Sequence, residues 1–404
     1  MAEATTVEAA EAASEAIQSS GHPHGSILVI GGGIAGLSAI TGIRGYNTQV
    51  HIVLVEPKDH VEIFWAAYRS LFVPEVAKSS LFSLTKFATR YSIQHIRSTV
   101  KQLTLNQAIL KDQTVIEFDV CVICTGASNP FPGFGRGLDA ASTTQKERLK
   151  SLKKHGKSLM DAETLLIIGG GLIACELAGD LSVYSGWALK TTEITIIHSG
   201  DHLCPEMDAA TGQHIYDKLE NMGVKVFLNE KAIKQDDGKW ALESNGKLFT
   251  ADQVIVTGIN PVNSFVDSGF LNAEGWIEVD ECFQVKKAEF KIFAFGDCCT
   301  LLPNTAEQAF ANINRIGYNV KTALQHNRAD GKDAAPPKLW EAYHPYEVYT
   351  VTVGPEDGAF FSQLLTVDMF LPKMKNDTMF LYEAWNKLGL EQEDPPPPKD
   401  PVKK

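Results

Sequence analysis

Short apolar runs separated by glycine turns and helical spacings set the layout of this chain. Ile27–Ile30 runs straight into Gly31-Gly32-Gly33, with Gly36 next and then an apolar pattern of helical period. This predicts a buried strand, a turn too tight for side chains, and a helix. A second apolar strand, Val50–Val55, ends in Glu56, twenty residues after Gly36. Gly31 permits the turn, Gly33 lets a pyrophosphate approach the backbone, and Gly36 lets the helix pack on the strand. Glu56 stands where a carboxylate accepts hydrogen bonds from an adenosine ribose, and the helix N-terminus offers free N–H groups to phosphates. The order of elements therefore points to dinucleotide binding.

The pattern then repeats. After Glu56, an amphipathic helical spacing runs through Phe64, Trp65, Tyr68 and Leu71-Phe72, and residues 93–118 alternate as short strands. A buried strand, Asp119–Ala127, closes in Thr125-Gly126. A Gly/Pro-rich connection and a lysine-rich helix lead to Thr164, where TLLIIGGGLIACELAGDL begins a second strand–glycine–helix unit. Its glycines are Gly169 and Gly171, with Ala174 as the accepted variant of the third. A strand at Glu193–His198 follows, and DQVIVTG, ending at Gly258, repeats DVCVICTG at a similar interval of about 90 residues. Two strands over 276–300 end in Gly296-Asp297 and occur once only, so they serve one cofactor. A helix with small residues on one side is expected from Asn304 to His326, then a β-like run, an amphipathic stretch and a polyproline tail.

Composition narrows the function classes. The chain has 404 residues, 44% hydrophobic and 21% charged, with a formal net charge of −12. Such acidity argues against nucleic acid, which requires basic patches. Apolar runs fall far short of the ~20 residues of a membrane span. Seven cysteines in an acidic chain with no secretory or transit signal point to reduced thiols. Ala2 rules out N-myristoylation of the sequence as written. Cys121 and Cys124 lie about 10 Å apart along a strand, beyond the ~7 Å reach of a disulfide, so disulfide reduction through that pair is disfavoured. Cys298-Cys299 would close a strained ring, and no cysteine spacing suggests an iron–sulfur cluster. His22-Pro23-His24 reads as a linker, and no metal site is expected.

GGGIAG with Glu56, DVCVICTG, GGGLIACE, DQVIVTG and IFAFGDC stand in the order found in two-dinucleotide flavoproteins of the pyridine nucleotide-disulfide oxidoreductase superfamily. KDHVEIFWAAYRSLF, ICTGASNPFPG, ITIIHSG and FAFGDC resemble the ferroptosis suppressor and apoptosis-inducing-factor-homologous proteins, relatives of type II NADH dehydrogenases. The fold class implied is α/β: two Rossmann-like dinucleotide-binding domains, for FAD and NAD(P)H, plus a small C-terminal α+β region. The expected division is a flexible acidic arm 1–25, an FAD domain over 26–160 and 261–335, an NAD(P)H domain 161–260, a C-terminal acceptor, membrane or dimer region 336–390, and a disordered tail 391–404.

By this resemblance, Gly31, Gly33, Gly36, Glu56, Pro57, Lys58 and the Val100 backbone would hold the ADP half of FAD. Thr125 and Gly126 would lie near its pyrophosphate, and Gly296 and Asp297 at the ribityl chain. Gly169, Gly171, Ala174, Glu176, His198 and Gly258 would form the NAD(P)H site, with Glu176 near the nicotinamide. No side chain is required as catalyst, because the flavin carries the chemistry. The implied activity is hydride transfer from NADH or NADPH to FAD, then electron transfer to a quinone-type acceptor at a cytoplasmic or organelle-membrane surface. Relatives that reduce quinones carry paired glutamines where this chain has Ala311 and Asn312. A protein or monodehydroascorbate acceptor, or a non-catalytic role in a homodimer or larger assembly, therefore stays open. The second strand ends in His198 rather than an acid, which leaves NADPH open, with His198 and Lys190 as groups that would favour it. Met369 to Leu390 would either face a membrane near Lys373 and Lys375 or pack on the protein's own flavin domain or a dimer partner.

Overall fold

A computed structural model describes residues 22–129, 131, 133, 142–187, 192–301, 305–329, 335–343, 348–362, 375, 377 and 379–390. The 1–21 part of the arm, Lys190, Met369–Lys373 and the tail lie outside these. Residues 22–25 dock on the body: the His22 ring stacks on His51 at 3.9 Å, and Arg328 donates to the Pro23 carbonyl at 3.1 Å.

The first unit begins with β1 (Ser26–Ile30), α1 (Ile34–Tyr46) and β2 (His51–Val55), followed by β3 (Gln94–Ile96) and β4 (Val120–Ile123). All pairings are parallel, in the order β4-β1-β2-β3, with Ile30 opposite both Val55 and Ile123. Strands this apolar on both faces belong in a sheet covered on both sides, and β1, β2 and β4 are almost entirely buried. Between β2 and β3 the helical pattern is broken up. His60–Glu62 forms a strand, Phe64–Ala66 a 3₁₀ turn, and Ala67–Ser70 one helical turn, before a separate helix Pro74–Ser79. Pro74 explains the break, since it forces Val73 into extended backbone (φ −117, ψ 101).

Helix α2 (Gln145–Asp161) opens on a Thr144/Glu147 capping box and leads into the second unit. This comprises β5 (Thr164–Ile168), α3 (Leu172–Trp187), β6 (Glu193–Ile197), β7 (Lys225–Phe227) and β8 (Gln253–Val256), all parallel in the order β7-β6-β5-β8. The chain then returns to the first sheet, where β9 (Ile292–Ala294) pairs with β4 through Ile292↔Cys121. The strand expected before it is reduced to isolated bridges such as Val279↔Val285. The expected helix from 304 to 326 is two helices, α4 (Ala306–Ala311) and α5 (Ile313–Arg328), meeting at Asn312. The buried Asn312 amide donates to Gln308 O within the first helix and to Tyr343 O across the molecule, and accepts from Tyr343 N–H. Helices α1 and α5 touch backbone to backbone, because a methyl at Gly42 would fall 2.1 Å from the Ile313 carbonyl.

The C-terminal region adds the hairpin β10 (Val348–Val353) and β11 (Asp357–Ser362), which joins the core of the second unit, and α6 (Leu381–Lys387). Leu381, Ala384, Trp385 and Leu388 are buried in the core of the first unit. No described helix is long and apolar enough to cross a membrane.

Candidate functional site

Each glycine turn is built by the same hydrogen bonds. Gly31 N–H donates to Val55 O at 2.9 Å and Gly169 N–H to Ile197 O at 2.9 Å, both with φ above +100°. Only glycine holds that conformation without strain. A methyl at Gly36 would lie 2.0 Å from the Gly31 carbonyl, so this glycine sets how closely α1 meets the turn. A methyl at Gly33, Gly126 or Gly258 would meet nothing within 4 Å. Open space above these three leaves backbone exposed to a ligand, and the groove at the first turn fits the phosphates of a dinucleotide.

That groove is lined by Gly31, Gly33, Glu56, Lys58, Thr125, Gly126, Gly296 and Asp297, which come from four separate strand ends. Glu56 Oε2 accepts from Gly32 N–H at 2.8 Å and Oε1 from Lys58 N–H at 3.0 Å. The Thr125 hydroxyl donates to Asn263 Oδ1 at 3.1 Å. Pro57, Val100 and Ala174 do not line this groove. Pro57 turns its carbonyl to Arg97, Val100 opens a small antiparallel sheet against Leu110, and Ala174 is fully buried in α3. His60, a groove residue not among the expected site residues, bonds Asp59 Oδ1 at 2.9 Å; burial lowers its pKa, and the Asp59 bond acts the other way.

A second, larger cleft of about 870 Å³ adjoins the groove, sharing Phe64, Thr305 and Ala306 with it. Gly171 and Gly258 form its edge on the second unit, and Trp65, Tyr68, Phe310, Tyr349 and Phe380 form apolar walls. Trp65 is fixed by a 2.8 Å bond from its indole N–H to Met379 O. Arg69, one turn further, does not face the cleft; it is buried against Asp180. Glu176 lies at the cleft and is only 4% exposed. Its Oε1 accepts from Thr352 N–H at 3.1 Å and forms a buried ion pair with Lys375 Nζ, which also donates to Thr350 O at 2.8 Å. Nothing in the local pattern of either residue announces this partner 199 positions away.

His198 sits outside the cleft, against the second glycine turn, where its Nδ1 accepts from Gly170 N–H at 3.2 Å. Cys121 and Cys124 face opposite sides of the first sheet, in separate core clusters. Burial pushes both thiols well above their ordinary value. One sulfur contact was not foreseen: Cys175 and Cys204 place their Sγ atoms 3.6 Å apart in the second unit. No cluster of three or more metal-ligating side chains occurs among the described residues.

Two parallel dinucleotide turns, with a sheet that the chain leaves and re-enters, define a recognisable architecture. Residues 25–312 match the pyridine nucleotide-disulphide oxidoreductase family. The chain belongs to that family. It is an oxidoreductase of the flavin- and NAD(P)H-using type. Apoptosis-inducing factor homolog B of Dictyostelium discoideum is 26% identical over 382 residues, covering 88% of this chain and 94% of that protein. Ferroptosis suppressor protein 1 of Xenopus tropicalis is 22% identical, covering 90% and 96%. Among solved structures, the sulfide:quinone oxidoreductase of Aquifex aeolicus shares the fold with a TM-score of 0.70 at 17% identity, covering 90% of this chain and 92% of that one.

Proposed function

We propose that the protein is an FAD-dependent NAD(P)H oxidoreductase that delivers electrons to a quinone-type acceptor. The observation that carries this reading is the 870 Å³ cleft between the second glycine turn and the flavin groove. Small-molecule sites are concave, mostly apolar and fitted with a few fixed polar groups. Here aromatic walls enclose the space, and the Glu176–Lys375 pair supplies the fixed polar end. A bound flavin supplies hydride acceptance and electron release. The chain's part is to hold the two dinucleotides by their phosphates at the glycine turns, to orient the nicotinamide at Glu176, and to keep water out behind Trp65 and Phe380.

A membrane contact through 369–390 would fall to Tyr382, 52% exposed, and to residues outside those described, since the rest of α6 turns its apolar side inward. A second reading, with an acidic protein as acceptor, draws on α2. Lys146, Lys150, Lys153, Lys154 and Lys157 lie exposed along one face of that helix in an otherwise acidic chain.

The test is anaerobic stopped-flow mixing of the purified protein with NADH or NADPH, following flavin absorbance, with a short-chain quinone added afterwards. Bleaching followed by quinone-driven reoxidation is the expected result. Bleaching without reoxidation would move the acceptor to a protein or ascorbyl radical. A flavin that neither nucleotide bleaches would leave a non-catalytic assembly role in its place.

A further inference from the structure

Helix α2 carries a charged surface that stands apart from both cavities' chemistry. Lys146, Lys150, Lys153, Lys154 and Lys157 are all exposed, and at about 100° per residue they fall within one stripe about 100° wide. The opposite side is anchored. Arg148 holds the Glu62 carboxylate with two bonds, Leu152 and Leu159 are buried, and a methyl at Gly156 would fall 1.8 Å from the Leu71 carbonyl. Packing therefore fixes the lysines on the outer face. Lys157 is bonded to Asp161, and Glu147 is taken up in the capping box. The other four lysines have no carboxylate partner among the described residues. In a chain of net charge −12 they form a face that attracts acid.

The chain itself holds a segment of matching chemistry. Residues 1–21 contain Glu3, Glu8, Glu11 and Glu15 and no lysine, arginine, aspartate or histidine. Lys146, Lys150 and Lys153 are separated by four and three positions, and so, read backwards, are Glu15, Glu11 and Glu8. At helical period an antiparallel alignment puts Glu15 beside Lys146, Glu11 beside Lys150 and Glu8 beside Lys153. The point where the arm joins the body is close enough. His22 stacks on His51 at 3.9 Å. From His51, β2 rises about 13 Å to Val55. Asp59, at most about 14 Å further along the chain, accepts the N–H of Gln145, the first residue of α2, at 2.8 Å. The chain from Glu15 to His22 extends to about 24 Å, and the long glutamate and lysine side chains cover the remainder.

We infer that the acidic arm, residues 1–21, docks on the lysine face of α2 in its own chain. One exposed ion pair adds little, but several act together here, and the covalent tether holds the arm at about millimolar effective concentration. The arm is then a built-in competitor, which any acidic partner has to displace to reach α2. This holds whichever acceptor the flavin serves.

Carbodiimide coupling of the purified protein, with the joined peptides mapped by mass spectrometry, tests this without turnover. Bonds from Glu8, Glu11 or Glu15 to Lys146, Lys150, Lys153 or Lys154 are expected at about 20 mM salt, and at least about fivefold fewer at about 0.5 M, where charges are screened within a few Å. Lys150→Glu/Lys153→Glu should abolish them, and adding Glu8→Lys/Glu11→Lys should restore bonds with the charges exchanged. Poly-glutamate should bind a chain lacking residues 2–21 at least about threefold more tightly than the whole chain. Absence of arm-to-α2 bonds in the wild type would overturn the inference, even were the variants not to fold. In a mixture of isotope-labelled and unlabelled protein, bonds found only between copies would overturn it in favour of a second copy's arm. Equal affinities for poly-glutamate with and without the arm would overturn it too.

Discussion

Arg69 Nε and Asp180 Oδ2 lie 2.7 Å apart, each about 1% exposed, and tie the first unit to α3 of the second. A buried pair of this kind adds little over an apolar replacement, but breaking it leaves a charge with no water. Asp180→Ala is therefore expected to destabilise the protein by about 3–5 kcal/mol. The Arg69→Met/Asp180→Leu double variant should lose clearly less than the two single changes together. Urea unfolding of the wild type, D180A, R69M, D180L and the double variant checks both statements, and additive losses would disprove the coupling.

Acid sensitivity follows from three histidines. Burial lowers the pKa of His51, His60 and His198. Each binds a proton more weakly folded than unfolded, so unfolding takes up protons once the pH drops below about 6.5, the unfolded value. Their contribution is complete above that pH and is lost as the pH falls through the lowered folded values. The urea midpoint should decline between pH 7 and 5, before ordinary carboxylates titrate. A flat midpoint across that range would count against it.

Gly33 and Gly36 separate binding from folding. Gly36→Ala drives a methyl into the Gly31 carbonyl, for an expected loss of about 1–3 kcal/mol or more. Gly33→Ala meets only open space, so the thermal midpoint should stay within about 2 °C. The flavin carried through purification should nonetheless fall, because the methyl stands where the phosphates approach. Equal flavin content in G33A and wild type would argue against that placement.

Lys375 is the cleft residue whose removal is most informative. Lys375→Met strands the Glu176 carboxylate in a buried place, with an expected loss of about 3–5 kcal/mol. Among molecules that stay folded and flavin-loaded, reduction by NAD(P)H should slow at least about tenfold, since Glu176 loses its orientation. Unchanged bleaching rates in stopped flow would confine the pair to a structural role.

Both dinucleotide turns were legible in the sequence because they are local: a strand, a φ that only glycine accepts, and a helix lie within a dozen residues. The pairings that close the larger cleft were not. Glu176 meets Lys375, and Trp65 meets Met379, only once the C-terminal segment has crossed the molecule. The helical spacing that begins at Phe64 holds as a 3₁₀ turn and one α turn over Phe64–Ser70, and Pro74 stops it by fixing the backbone of Val73 before it. Asn312 broke the later helix for the opposite reason, a distant backbone partner at Tyr343 that no neighbouring residue signals.

The return of the chain to its first sheet has a consequence for synthesis. Strand β4 is complete at Ile123, but its outer neighbour starts only at Ile292, after the whole second unit. At ribosomal speeds of about 5–20 residues per second, the edge of β4 stays unpaired for about 10–30 s while the intervening unit emerges and folds. An apolar strand with free N–H and C=O groups is the kind of edge that recruits a wrong partner. A ribosome stalled before residue 292 leaves the nascent first unit with that edge open.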